Sequence, residues 1–138
     1  MFLATTGTVL AKNMKLYVGS TAITCQVDAK ISMSTNMFET TCKDSTAVSA
    51  FLPGSKSWTA SGTGNFAFDA TYGFSDLFEA WDAQSTVAIV WQTGVTGDEK
   101  LSGTAYISKL DGDSSGNDAA VTFSFELQGT GTLTKATI

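Results

Sequence analysis

Hydrophobic and polar positions alternate along most of this chain. Trp58, Ala60, Gly62, Gly64, Phe66 and Phe68 fall on one face of an extended segment, and Thr59, Ser61, Thr63, Asn65 and Ala67 fall on the other. Near the end of the chain, Val121, Phe123, Phe125 and Leu127 alternate with Thr122, Ser124, Glu126 and Gln128. Strict period-two alternation marks a strand with one buried face, so both apolar rows are expected in the core. The opposite rows are the unusual ones. A single-copy sheet protein protects its exposed strands and edges with Lys and Glu. Here those rows are mostly Ser, Thr, Asn and Gln. Such a face suits a sheet that meets other copies of itself, or one that lines a polar channel.

The same pattern predicts the remaining elements. Residues 8–18 give short strands broken near Asn13. Ile23, Cys25, Val27, Ala29, Ile31 and Met33 alternate with polar residues and predict a long strand. Ser34, Thr35 and Asn36 read as a turn, with residues 38–42 returning as the second arm of a hairpin. Residues 43–56 are rich in Ser and Ala, hold the only proline, Pro53, before Gly54, and predict a loop. One segment changes period. Phe74, Leu77, Phe78 and Trp81 recur at i, i+3, i+4 and i+7, which predicts an amphipathic helix. Ser75 is its expected N-cap, Asp76 its first-turn acid, and all four stripe residues are expected in the core. Strands resume at residues 87–92, 101–110 and 119–134. The fold class that follows is mainly β: an antiparallel sandwich or barrel with one flanking helix. No linker, repeat or change of composition divides residues 1–138, so a single domain is expected.

Composition sharpens this picture. A chain of 138 residues can bury roughly two-thirds of its unfolded surface and needs no metal or disulfide to fold. Charged residues make up only 15%, against roughly 25% in an average globular protein, which implies that some surface is hidden in an assembly. The net charge of −5 speaks against a grip on duplex DNA, which needs clustered Lys and Arg. Residues 1–16 lack a basic start and a sustained apolar core, so no secretion signal is expected. No stretch approaches the roughly 20 apolar residues of a membrane span. A reducing cytoplasm fits Cys25 and Cys42 as buried, unpaired thiols.

Catalytic chemistry finds little support. There is no histidine, the commonest general base and neutral metal ligand, and two cysteines cannot make a paired-cysteine zinc site. No enzyme activity, cofactor or metal is expected. Gly62-Thr63-Gly64 and Gly129-Thr130-Gly131 look like pieces of a nucleotide loop, but neither opens a helix. They are better read as close strand packing or a bulge. Residues 111–118 resemble a calcium loop without its ligand spacing, terminal glutamate or flanking helices, and read as a solvated hairpin tip.

Four segments together resemble a known family: the early strand and hairpin over residues 22–42; Leu52-Pro53-Gly54 leading into residues 57–64; the single helix followed by Val87-Ala88-Ile89-Val90-Trp91; and residues 101–110 followed by 121–134. This order is similar to the major tail protein, or tail-tube protein, of long-tailed bacteriophages. The resemblance implies a structural protein of the virion tail, assembled in the host cytoplasm as hexameric rings stacked into a hollow tube. Genome DNA would pass through the lumen without specific binding. Other tail proteins, such as the tape measure, terminator and distal tail proteins, would be partners. Thr59, Ser61, Thr63, Asn65, Thr122, Ser124, Glu126 and Gln128 would line a polar, net acidic lumen without basic patches. Residues 34–56, with Met37, Phe38, Leu52 and Pro53, would bridge rings, helped by residues 1–8. Two alternatives stay open. One is another assembly protein, such as a decoration protein or the tube of a contractile injection machine. The other is a monomeric carbohydrate-binding sandwich presenting Trp58, Trp91 or Tyr106.

Overall fold

A computed structural model describes residues 5–23, 26–41, 43, 48–68 and 72–138. Cys25, Cys42 and residues 1–4 lie outside the described residues. After a short 3-10 turn (Ala11–Asn13), the alternating segments form strands β1 (Lys15–Val18), β2 (Thr21–Ala22), β3 (Gln26–Glu39) and β4 (Phe51–Asn65). Helix α1 (Phe74–Asp82) follows, and then β5 (Val87–Gln92), β6 (Glu99–Asp113) and β7 (Thr122–Thr137). The strands form one sheet in the order β2-β1-β5-β6-β7-β4-β3, with every pairing antiparallel. The sheet curls until its far strands meet. Gln26 at the start of β3 donates through Nε2 to the Leu16 carbonyl (2.8 Å) and the Ile23 carbonyl (3.0 Å). Its Oε1 accepts from the Leu16 N–H (3.1 Å). A side-chain amide carries the same donor and acceptor as a peptide unit, so one glutamine joins the ends of the curl.

The core lies inside this curl. Leu16, Ile23, Trp58, Ala60, Leu77, Ile89, Ala105, Phe123, Phe125 and Leu127 are all buried. Trp58 fits because of two glycines on β7. A Cβ on Gly129 would overlap the indole, and Gly131 has φ +79°, where side chains are strained. The Trp58 Nε1–H donates to the Gly131 carbonyl (3.3 Å). The β6–β7 register shifts at this point, between Ser102 and Thr104. The second Gly-Thr-Gly is therefore a bulge that seats a tryptophan. The apolar rows hold only where the strand does. Phe68 lies beyond the end of β4 and is 90% exposed, and Val121 precedes β7 and is exposed.

Two local expectations are corrected. Ser34, Thr35 and Asn36 form no turn: β3 continues to Glu39 and β4 begins at Phe51. Residues 51–56, read as loop, pair with β3 through Phe51↔Glu39, Leu52↔Phe38, Pro53↔Met37 and Lys56↔Thr35. Pro53 and Gly54 sit at a register shift between Thr35 and Met37, where a strand tolerates a missing N–H. The helix is capped by Gly73 rather than Ser75. The Gly73 N–H donates to Asp76 Oδ2 (3.1 Å), and the Gly73 carbonyl accepts from the Leu77 N–H (3.1 Å). Nor is the whole stripe core. Leu77 is fully buried and Phe74 packs on Phe66 and Phe123, with centroids 5.1 and 6.0 Å away. Phe78 and Trp81 are about half exposed and lie against each other (5.9 Å). A nine-residue helix on one side of a single sheet has no second layer above it, so half of its stripe stays outside.

Candidate assembly surfaces

The two polar rows become one surface. Because β4 and β7 are neighbours, Thr59 faces Gln128, Ser61 faces Glu126, Thr63 faces Ser124 and Asn65 faces Thr122. The eight residues expected along a channel thus form four cross-strand pairs opposite the core. The flanking strands extend the surface: β3 adds Asp28, Lys30 and Ser32, and β6 adds Tyr106, Lys109, Asp111 and Asp113. A register shift between Ile107 and Lys109 keeps Lys109 and Asp111 on this face, and the Ser108 hydroxyl there donates to the Glu126 carbonyl (3.1 Å). A trough of about 560 Å³ runs between Asp28, Lys30, Lys109, Asp111 and Glu126. Lys109 pairs with Asp111 (3.5 Å). The face is polar and carries more acid than base, with Lys30 and Lys109 among Asp28, Asp111, Asp113 and Glu126. Sequence alternation missed Lys109 and Asp111 because the bulge changes their face.

The second surface is the far half of the β3–β4 hairpin. Met37 stands opposite Pro53 and Phe38 opposite Leu52, so the four residues expected to bridge rings are direct neighbours. Phe51, opposite Glu39, joins them; it was missed because residues 43–56 read as loop. Met37, Phe38, Phe51 and Leu52 are each more than half exposed. Met37 and Phe38 are consecutive and so project from opposite faces. A ribbon exposing apolar side chains on both faces is the surface that a lone soluble domain avoids.

A third feature has no sequence signal beyond a turn-rich connector. Asp98 accepts from the Thr5 N–H (2.5 Å) and the Thr93 hydroxyl (2.6 Å). Its carbonyl accepts from the Ile138 N–H (2.8 Å), and the Gly97 N–H donates to the Ile138 carbonyl (3.1 Å). The turn before β6 thus holds both ends of the described chain. These donors keep the Asp98 carboxyl below its ordinary range. Tyr72, ahead of the helix, is shifted upward by burial and by the nearby Asp76.

Other features carry no chemistry of their own. Among the described residues, no group of three His, Cys, Asp or Glu could hold a metal ion. Asp113 instead accepts from the Ser115 N–H (3.0 Å) and hydroxyl (2.5 Å). Among the described residues, no helix is long and apolar enough to cross a membrane. Of the aromatics a carbohydrate-binding sandwich would present, Trp58 is buried and Trp91 partly buried against the core, while Tyr106 is exposed on the polar face opposite Gln128.

A family model described as phage tail tube protein matches residues 14–135, from the turn before β1 to the last strand. The chain belongs to the phage tail tube protein family. It is a mainly β structural component of the tail tube. No curated protein matches it in sequence, but solved structures match the fold. The tail of a gene transfer agent particle, refined with C6 symmetry, is similar with a TM-score of 0.78 at 17% identity, over 92% of this chain and 98% of that one. The SPP1 tail tube gives 0.72 at 16%, over 95% and 80%. The PVC sheath-tube complex of an extracellular contractile injection system gives 0.69 at 13%, over 95% and 93%.

Proposed function

We propose that this tail tube protein polymerises as stacked hexameric rings into a conduit for genome DNA, and that the β3–β4–β7–β6 face lines the lumen. One observation carries the reading: the four strands hold a polar face whose two outer strands, among the described residues, each leave much of one edge unpaired. β3 ends the sheet, and β6 pairs with β5 only through Leu101 to Ala105. Beyond Ala105 its second edge carries no strand among the described residues. Because the four strands alternate in direction, the outer two run oppositely. A copy rotated about a common axis keeps its strand directions, so the β6 edge of one meets the β3 edge of the next as an antiparallel pair. Such a head-to-tail contact closes a ring and leaves no exposed sheet edge. The six-fold count is supported by the symmetry of the gene transfer agent tail.

Thr59, Ser61, Thr63, Asn65, Thr122, Ser124, Glu126 and Gln128 then face the DNA. Hydroxyls, amides and sparse carboxylates offer phosphates no strong grip, and the two lysines of the face, Lys30 and Lys109, are outnumbered by Asp28, Asp111, Asp113 and Glu126, with Lys109 paired to Asp111. Met37, Phe38, Leu52 and Pro53 bridge neighbouring rings, so residues 34–56 are the inter-ring part of a single 1–138 domain. The protein works without enzymatic activity. It assembles in the host cytoplasm and meets terminator, tape measure and distal tail proteins in the virion. Cryo-electron microscopy of the polymer tests this directly. It should show six subunits per ring with Glu126 in the channel. A polymer with Glu126 on its outer wall, or a monomer at all concentrations, would exclude the assignment.

A further inference from the structure

The β6–β7 ladder is electrically lopsided. It runs from Glu99↔Thr137 to Asp113↔Thr122, roughly 45 Å at the ordinary strand rise. At its open end stand Lys100 and Lys135, with Lys56 across on β4. The acids at that end are Glu99, which pairs with Lys135 (3.5 Å), and Asp98, whose carboxylate is turned to Thr5 and Thr93, so Lys56 and Lys100 have no ion pair among the described residues. At its loop end stand Asp111, Asp113 and Asp118, all exposed, and Lys109 answers only Asp111.

Each end also has a shape. At the open end, β4 and β7 part company: they pair from Thr59↔Gln128 to Asn65↔Thr122 and no further. Residues 51–57 of β4 and 129–137 of β7 thus diverge as a fork. A groove of about 570 Å³ lies in it, with Met33, Trp58, Leu101 and Leu133 below and Lys56 and Lys135 on the rim. At the loop end, Phe68 protrudes 90% exposed beside the exposed Val121. The Phe66 N–H donates to the Val121 carbonyl (2.7 Å) and the Phe66 ring meets Phe68 edge-on, so this apolar knob is fixed to the acidic loop. One end is an apolar groove with a cationic rim, and the other an apolar knob with an acidic collar.

We propose that the loop end of one copy, with Phe68, Val121, Asp113 and Asp118, seats in the lysine-rimmed fork of a second copy in the adjacent ring. This inference rests on the stacked-ring reading and adds the receptor and the register of the stack. The fork opens at the same end of the strands as the hairpin tip, so a copy related by translation along the tube presents its loop end to the fork. Head-to-tail stacking brings unlike charges together, whereas head-to-head stacking opposes lysines to lysines. The charge pattern therefore also sets the direction of the tube.

Charge exchange tests the contact. Lys56→Glu with Lys135→Glu, and separately Asp113→Lys with Asp118→Lys, should each leave rings visible by native mass spectrometry. Each should raise the protein concentration needed for tubes by at least about tenfold at low salt, where opposed surface charges are least screened. The variant carrying all four substitutions should recover tubes at close to the wild-type concentration. Two results would overturn the contact while leaving the ring reading intact: double variants that polymerise like the wild type, or a fourfold variant no better than either double. A wild-type protein that forms neither rings nor tubes would refute both.

Discussion

The near and far halves of the β3–β4 hairpin share strands and ladder but differ in environment. In the near half, Ala60 and Trp58 are buried against Phe125 and Leu127 on a neighbouring strand. In the far half, Met37, Phe38, Phe51 and Leu52 keep the same pairing and are mostly exposed. Backbone hydrogen bonding continues regardless of whether a core exists beneath it. Its net contribution per bond is modest, about 1 kcal/mol, and a lone two-stranded ribbon is marginal in water. The near half is therefore held by the core, whereas the far half has no core beneath it and is free for the inter-ring role proposed above.

Removing a near-half contact should have the largest effect on stability. Phe125→Ala should cost about 3–5 kcal/mol, read as a lower denaturant midpoint with an unchanged slope. A loss below about 1 kcal/mol would mean that the curl is not packed as described. The helix offers the same contrast within one element. Leu77→Ala should cost about 2–5 kcal/mol, as a buried leucine does. Trp81→Ala should cost less than Leu77→Ala, because about half of the indole is already in water. Equal losses at the two positions would show the helix rotated from the orientation described.

Smaller still, Phe38→Ser and Leu52→Ser should each change monomer stability by no more than about 1 kcal/mol. Tube yield, measured by sedimentation or negative-stain microscopy, should nevertheless fall. A protein that melts as easily as Phe125→Ala would place the far half in the fold instead. The subtlest effect is acid-dependent. The carboxyl of Asp98 is depressed in the folded chain by the Thr5 and Thr93 donors, so its contribution is complete above the ordinary carboxylate range. It is lost as pH falls below about 4 toward the depressed value. Asp98→Asn should lower stability at neutral pH and flatten its fall below about pH 4. An acid-unfolding profile parallel to the wild type would remove this role.

Period two was a dependable guide wherever strands paired over a core, as at Trp58, Ala60, Phe123, Phe125 and Leu127. The channel candidates were legible for the same reason, since the rows opposite a buried row must share the other face. That β4 and β7 would be neighbours, fusing the two rows, was not legible from either row, because sheet order depends on pairing far along the chain. Local propensity makes the hairpin look like a turn and a loop, because Ser, Asn, Pro and Gly are turn residues, while a bulge lets a paired strand absorb them. The exposure of Phe78 and Trp81 is invisible to helical periodicity, which reports which residues share a side and not how much sheet lies beneath it. Asp98 and Gln26 gave no warning, since each acts through backbone groups brought close only by the curl.

The clasp at Asp98 means that the amino and carboxyl ends of the described chain meet at one corner. A peptide linker from residue 5 to residue 138 would have a short gap to bridge, so the segment between those two residues is close to a closed loop with a hydrogen-bonded seam. Sewing that seam covalently and opening the chain elsewhere gives a circular permutant. Tags, reporters or cargo could then be carried at a corner chosen by the engineer, in every subunit of a tube, with the order of strands in space unchanged.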